Sequence, residues 1–288
     1  MKLLLSDGSL YKHPIKRFIH IASNAGFDGI EVIWDGKEEL EPENILSLCN
    51  EFSTPLLVIH EPFDFHDIKG WPKDRCERLP FVIDLAERMN VPSIVVHAGT
   101  NAKTIRWQVE NIPKLQKKTD VRICVENMPV DYALFKNKFQ LINSLYRKYF
   151  GNIYPACTST LVQRLLFMSY RRDYSMNAPE RLSFFDHITL DTTHVGTTGL
   201  YDPSEYFDSL GKASHIHLSD FGCREHLLPG QGNMALKEFM SHVQASGYQN
   251  CVSIEVNPSA FSDPDDDISV IRQLKDVISY LSTNSTGH

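Results

Sequence analysis

The sequence predicts an α/β fold of one domain, a closed (β/α)8 barrel. Two observations lead there. Eight short apolar runs recur along the 288 residues with amphipathic stretches between them, and strands alternating with helices build parallel sheets. Six of the eight runs carry a His, Asp or Glu at or next to their last position. Barrel enzymes keep their functional side chains at the C-terminal ends of the strands.

The runs are KLLLS (2–6), GIEVIW (29–34), PLLVIH (55–60), SIVVH (93–97), RICVE (122–126), HITLD (187–191), SHIHL (214–218) and CVSIE (251–255). Helical patterns fall at 14–25, 42–52, 74–90, 104–118, 136–149, 204–211, 235–247 and 266–282, the last entered through the polar turn SDPDDD. The interval from Glu126 to Asp191 is much longer than its neighbours, so the β5–β6 crossover carries an insertion at about 150–186. After Leu281 the segment STNSTGH, about 282–288, reads as a frayed tail. No composition break divides the chain, and 1–288 reads as a single domain.

Composition narrows the classes. A net charge of −7 without a basic run argues against a nucleic-acid partner. No apolar run approaches the ~18 residues of a membrane span. Cys49, Cys124 and Cys251 sit inside apolar runs and no CxxC occurs, so free thiols and a reducing compartment are expected. With no signal-peptide pattern in MKLLLSDGSLYKH, the expectation is a cytoplasmic protein.

Strand alternation selects the inward residues. In RICVE the face Val121, Ile123, Val125 must pack on helices, so Glu126 points into the barrel. The same reasoning sends Glu255, Asp191, His215, His217, His97 and His60 inward, with Leu57 and Ile59 outward. Charges on an inner wall are costly to bury unpaired. The convergence of Glu126, Asp191, His217 and Glu255 points to a divalent cation, and the mixed oxygen and nitrogen donors suit Zn, Mn, Co or Mg. His215, one layer lower, reads as structural. His13, His20, His66 and His242 are assigned nothing. Lys69, Lys73, Arg75, Lys103, Arg106 and Arg171–Arg172 read mainly as solvated charges. Trp34, Phe63 and Trp71 offer either core packing or an apolar wall for a sugar.

In order along the chain, GFDGIEVIWD (26–35), VIHEPF (58–63), VVHAGT (95–100), ICVENMP (123–129), TLDTTH (189–194), HLSD (217–220), REHLLPGQG (224–232) and SIEV (253–256) resemble the xylose-isomerase-like TIM barrel superfamily. That superfamily includes sugar isomerases and epimerases as well as endonuclease IV, the AP endonuclease 2 type. The resemblance covers most of the barrel.

It implies a metal held by Glu126, Asp191, His217 and Glu255, with no organic cofactor. It implies a metal-dependent isomerase or epimerase of a small sugar, polyol or keto-sugar, phosphorylated or not. That reaction passes through a metal-stabilised enediolate, with Glu126 and Glu255 as catalytic acid and base. The endonuclease branch implies three zinc ions, and His60, His97, His194 and His226 match its further ligands as additional metal or substrate contacts. Arg224 stands where that branch has an Asp, which would weaken the third zinc and make Arg224 a substrate contact or a partner of Glu225 or Asp220. An endonuclease IV-like zinc phosphodiesterase acting on abasic DNA is therefore the alternative, and a lyase or dehydratase on the same site a further one. Barrels of this superfamily often assemble as dimers or tetramers, but no residue here argues for either.

Overall fold

The computed structural model describes residues 1–129, 179–198, 201–211, 213–222 and 224–282. All eight expected strands form. They close in chain order into a parallel barrel in which β1 pairs with β8. The strands are β1 (Lys2–Ser6), β2 (Gly29–Ile33), β3 (Leu56–His60), β4 (Ser93–His97), β5 (Arg122–Glu126), β6 (His187–Asp191), β7 (Ala213–Leu218) and β8 (Cys251–Ile254). Numbered along the described residues, the helices are α1 (Ile15–Ala25), α2 (Pro42–Glu51), α3 (Arg75–Arg88), α4 (Ala102–Gln116), α5 (Pro179–Leu182), α6 (Thr192–Gly196), α7 (Pro203–Leu210), α8 (Leu236–Ala245) and α9 (Asp267–Ser282). The helix expected over 136–149, most of the 150–186 insertion, Arg171–Arg172 and the tail beyond Ser282 lie outside the described residues. The end of the insertion forms α5 and the turn into β6.

The helices start where the local chemistry favours it. Asp74, Asn101 and Asp202 cap α3, α4 and α7 by accepting backbone N–H groups two or three residues on. Gly26 and Gly211 close α1 and α7 in the left-handed conformation.

Two layers result. Outward strand residues such as Ile59, Val96, Ile123, Leu190, Ile216 and Ile254 join the helices in the main core. Full burial of each is worth about 1.5–3 kcal/mol, so this layer carries the stability. Inside the barrel, Leu4, Val58, Val95 and Cys251 form a small apolar plug. The stable outer layer lets polar side chains occupy the interior above that plug.

Leu57 does not face outward as alternation alone predicts. The β2–β3 register shifts between Ile30 and Glu31, and Leu56 takes the outer position while Leu57 packs against the plug. A bulge places two residues where one would stand. His60 still points inward because alternation resumes at Val58. β8 ends one residue early, at Ile254, yet the Glu255 N–H still donates to the Leu218 carbonyl at 3.3 Å.

Candidate metal centre and adjoining pocket

Glu126, Asp191, His217 and Glu255 come together, with one ligand atom from each lying within 4.8 Å of the others. His217 is the hub. Its Nδ1 lies 3.1 Å from Glu255 Oε2, 3.3 Å from Glu126 Oε1 and 3.8 Å from Asp191 Oδ2. The donors come from β5, β6, β7 and the end of β8, four successive strands.

Local structure fixes each of them. Asp191 ends β6 and caps α6, since its Oδ1 accepts the His194 N–H at 2.8 Å. Its backbone is clamped by the Asn127 side chain, which donates to the Asp191 carbonyl and accepts the Asp191 N–H. Asp191 Oδ2 is left buried with no hydrogen-bond partner, and Glu126 Oε2 is in the same state. Orphaned buried carboxylate oxygens need an explanation. With the mixed donor set, they fit a divalent cation.

The electrostatics agree. Burial works to raise the Glu126 and Glu255 carboxyls, but the neighbouring His217 prevails; Glu126 is held well below the usual range and Glu255 at about 2. Burial works to lower His217, but Glu31, Glu255 and Glu126 outweigh it and hold the ring well above its ordinary value. Burial pushes Asp191 up to about 8, against the pull of His226. Protons on the histidines thus balance carboxylates that a cation would otherwise neutralise.

The four further histidines also gather at this end. His60 donates Nδ1–H to the Glu61 carbonyl at 2.8 Å and turns Nε2 toward Glu126 Oε2, 3.4 Å away. Glu126 lifts His60 to about 9 despite its burial. His97 Nε2 lies 3.6 Å from Glu126 Oε2, and its Nδ1 accepts from Arg75 at 3.4 Å. His194 donates Nδ1–H to the Asn127 carbonyl at 2.7 Å. His226 sits edge-on to His194, with φ of 54° and its N–H bonded to Thr193 Oγ1. Arg224 is not drawn in. It is exposed on the β7–α8 loop, and among the described residues no carboxylate holds it. Asp220 does not pair with it, because its two oxygens accept the N–H groups of Phe221, Gly230 and Met234. That cradle bends the glycine turn back over the site: a Cβ on Gly232 would lie 2.6 Å from the Phe221 carbonyl oxygen.

Three carboxylates, Glu31 and Glu61 buried and Asp7 half-buried, were not singled out by the sequence. Glu31 lies beneath His217. Glu61 accepts the His97 N–H at 2.8 Å and pairs with Arg75 at 2.9 Å. Asp7 accepts the Ile33 N–H at 2.8 Å, and burial pushes it up to about 8. Glu31 was within reach of the alternation argument, since Ile30 and Val32 of GIEVI face the helices. Asp7 and Glu61 lie just past their strands, where alternation says nothing.

A cavity of about 630 Å³ opens beside the cluster, lined by Asp7, Phe63, His66, His226, Glu255 and Asn257 among others. His66 and His13, given no role above, stand on its wall. Phe63 stays at the cavity, whereas Trp34 is buried and Trp71 packs against the main core. Several basic residues near this face are already paired: Lys73 with Asp67, Arg75 with Glu61, Lys103 with Asp74.

The chain folds as a closed eight-stranded parallel TIM barrel, and solved structures of xylose isomerase-like barrels share that fold. A D-tagatose 3-epimerase-like protein matches with a TM-score of 0.63 and 18% identity over 98% of both chains. A 3-keto-D-glucoside 4-epimerase from E. coli matches at 0.60 and 14%, again over 98% of both. A xylose isomerase domain protein from Planctomyces limnophilus matches at 0.57 and 13%, over 92% of this chain and 90% of that one. In sequence, the chain is similar to a fructoselysine 3-epimerase of Shigella flexneri, 24% identical over 279 residues, covering 87% of this chain and 88% of the relative. No family model matches the chain.

Proposed function

We propose that this protein is a divalent-metal-dependent epimerase or isomerase of a keto-sugar. The observation that carries the reading is the approach of Glu126 and Glu255, from β5 and β8, to the same His217 nitrogen. The 3-epimerase relatives and the epimerases sharing the fold support it. In this reading Glu126, Asp191, His217 and Glu255 hold the metal. A bound divalent cation supplies Lewis-acid polarisation of the substrate carbonyl, which acidifies the neighbouring C–H.

The chain's own residues do the rest. Glu255 stands on the cavity wall and, held at about 2, is ionised at neutral pH. It accepts the carbon-bound proton of a sugar seated in the cavity. Glu126 is 1% exposed and approaches the same His217 nitrogen from β5. A proton delivered by Glu126 to the opposite face of the carbon inverts it; one returned from Glu255 restores it. Phe63 offers an apolar face to the sugar. The cavity wall carries the carboxylates of Asp35, Glu39 and Asp67 against Lys37, which Asp35 already pairs. That balance favours a neutral or amine-bearing sugar over a phosphorylated one.

A zinc phosphodiesterase is the second reading, favoured by the His60–His97–Glu126 and Asp191–His194–His226 groups. Arg75 counts against it. A guanidinium can only donate, so a neutral His97 carries its proton on Nε2, facing Glu126 as a donor and not as a ligand.

The test is turnover of ketohexoses and fructose–amine adducts in deuterated water, followed by NMR. Deuterium entering the carbon that inverts, lost in Glu255→Gln, is expected. Strand scission of abasic duplex DNA without sugar deuteration would sink the epimerase reading.

A further inference from the structure

We propose that Glu31 is a positioning residue that makes His217 a metal ligand by holding the proton of its ring on the nitrogen remote from the centre. The inference rests on the four-residue cluster being a metal centre. Glu31 is 0% exposed and reaches inward from β2, across the barrel from the ligand strands. Its Oε1 accepts from His217 Nε2 at 2.8 Å. Its Oε2 accepts from His215 Nε2 at 2.8 Å and from Ser253 Oγ at 2.6 Å. One carboxylate therefore receives three donors from β7 and β8.

The need follows from the other side of the ring. His217 Nδ1 faces oxygens of Glu126, Asp191 and Glu255 at 3.1–3.8 Å. Three carboxylates favour a proton on that nitrogen, which would make His217 a donor and bar it from ligating. A buried acceptor 2.8 Å from Nε2 gives the one proton of a neutral ring a place there, which frees Nδ1 for a cation. Partners of this kind fix the tautomer and orientation of metal-bound histidines.

The fold does not require a charge there. Leu4, Val58, Val95 and Cys251 fill the adjoining interior with apolar groups, and a buried carboxylate is costly without partners. Glu31, His215 and His217 could themselves be suspected of gripping an ion. Their N···O separations of 2.8 Å are those of hydrogen bonds, and the three groups satisfy one another.

The experiment is calorimetric titration of Mn2+ into chelator-stripped wild type and Glu31→Gln, with the Tm of each stripped protein measured alongside. Gln keeps the volume but cannot accept from both histidines and the serine. The expected result is a 10–100-fold weaker Mn2+ Kd. Leu274→Ala, in the α9 core, is the control for lost stability alone: its Tm falls and its Kd holds. Equal Mn2+ affinity in wild type and Glu31→Gln overturns this proposal and leaves the centre standing. Absence of stoichiometric Mn2+ in the wild type, with Zn2+ and Co2+ also failing, overturns both. If Glu31→Gln does not fold, 15N-histidine NMR of the zinc-loaded wild type decides. A proton on His217 Nε2 is expected; a proton on Nδ1 overturns the proposal.

Discussion

At the scale of single residues, charge balance governs behaviour. His217 lies well above its ordinary pKa and His60 at about 9, while a ligating imidazole must be neutral at the coordinating atom. Metal binding at neutral pH therefore releases protons, and affinity tightens as pH rises. Titrations in buffers of differing ionisation enthalpy read that release directly; a buffer-independent heat would contradict it. Asp7 gives a second case. Its carboxyl sits at about 8 in the fold against 3.8 ordinarily. Between those values the native state keeps a proton the unfolded chain has lost, so stability falls as pH rises through this window. Asp7→Asn keeps an acceptor for the Ile33 N–H and is expected to raise Tm by a few degrees at pH 8 and little at pH 4. An equal gain at both would show that Asp7 is not the cause. Glu31 also belongs to this scale. It was legible by the same alternation that exposed Glu126, but an acid in mid-strand carries no signal of its own without the strand-end position.

At the scale of elements, the loop from Phe221 to Met234 is built on Asp220. That side chain is 1% exposed and holds three backbone N–H groups. Leaving buried donors without partners costs about 1–3 kcal/mol each. Asp220→Ala is expected to free this loop, with proteolytic cleavage between 221 and 234 appearing while the barrel core stays resistant. Unchanged cleavage would mean the Gly230 and Gly232 turn holds by itself. REHLLPGQG carries the glycines of this turn in plain view, but Asp220 as its clamp was hidden. A carboxylate that accepts backbone N–H groups leaves no spacing pattern in a sequence. The β3 bulge was hidden for a related reason: Leu56 and Leu57 are both apolar, so nothing in PLLVIH marks which of them slips.

At the scale of the molecule, the candidate ligands come from four successive strands, β5 to β8. A metal there ties together half of the barrel wall. A ligand that binds only the native state adds about 2.7 kcal/mol at a hundredfold excess over its Kd, or several degrees in Tm for a chain of this size. Chelation is expected to lower Tm by that amount in the wild type and much less in Glu126→Gln. Equal shifts in both would place the metal elsewhere. The outer layer, including Ile59, Ile123, Leu190 and Ile254, supports the fold without the ion, so the stripped protein should stay folded.

Strand order, the inward His, Asp or Glu near the end of six strands and the four candidate ligands were determined by the sequence alone. They follow from period-two alternation and from apolar runs long enough to be strands, both local properties of the chain. Only the tertiary structure decided what lies beyond a strand's own period. It put Glu31 under His217, turned Asp220 to the loop and away from Arg224, left Arg224 in solvent, and sent Trp34 and Trp71 to the core while Phe63 kept to the cavity. Each depends on which side chains from distant segments meet, and that is set by barrel closure and register.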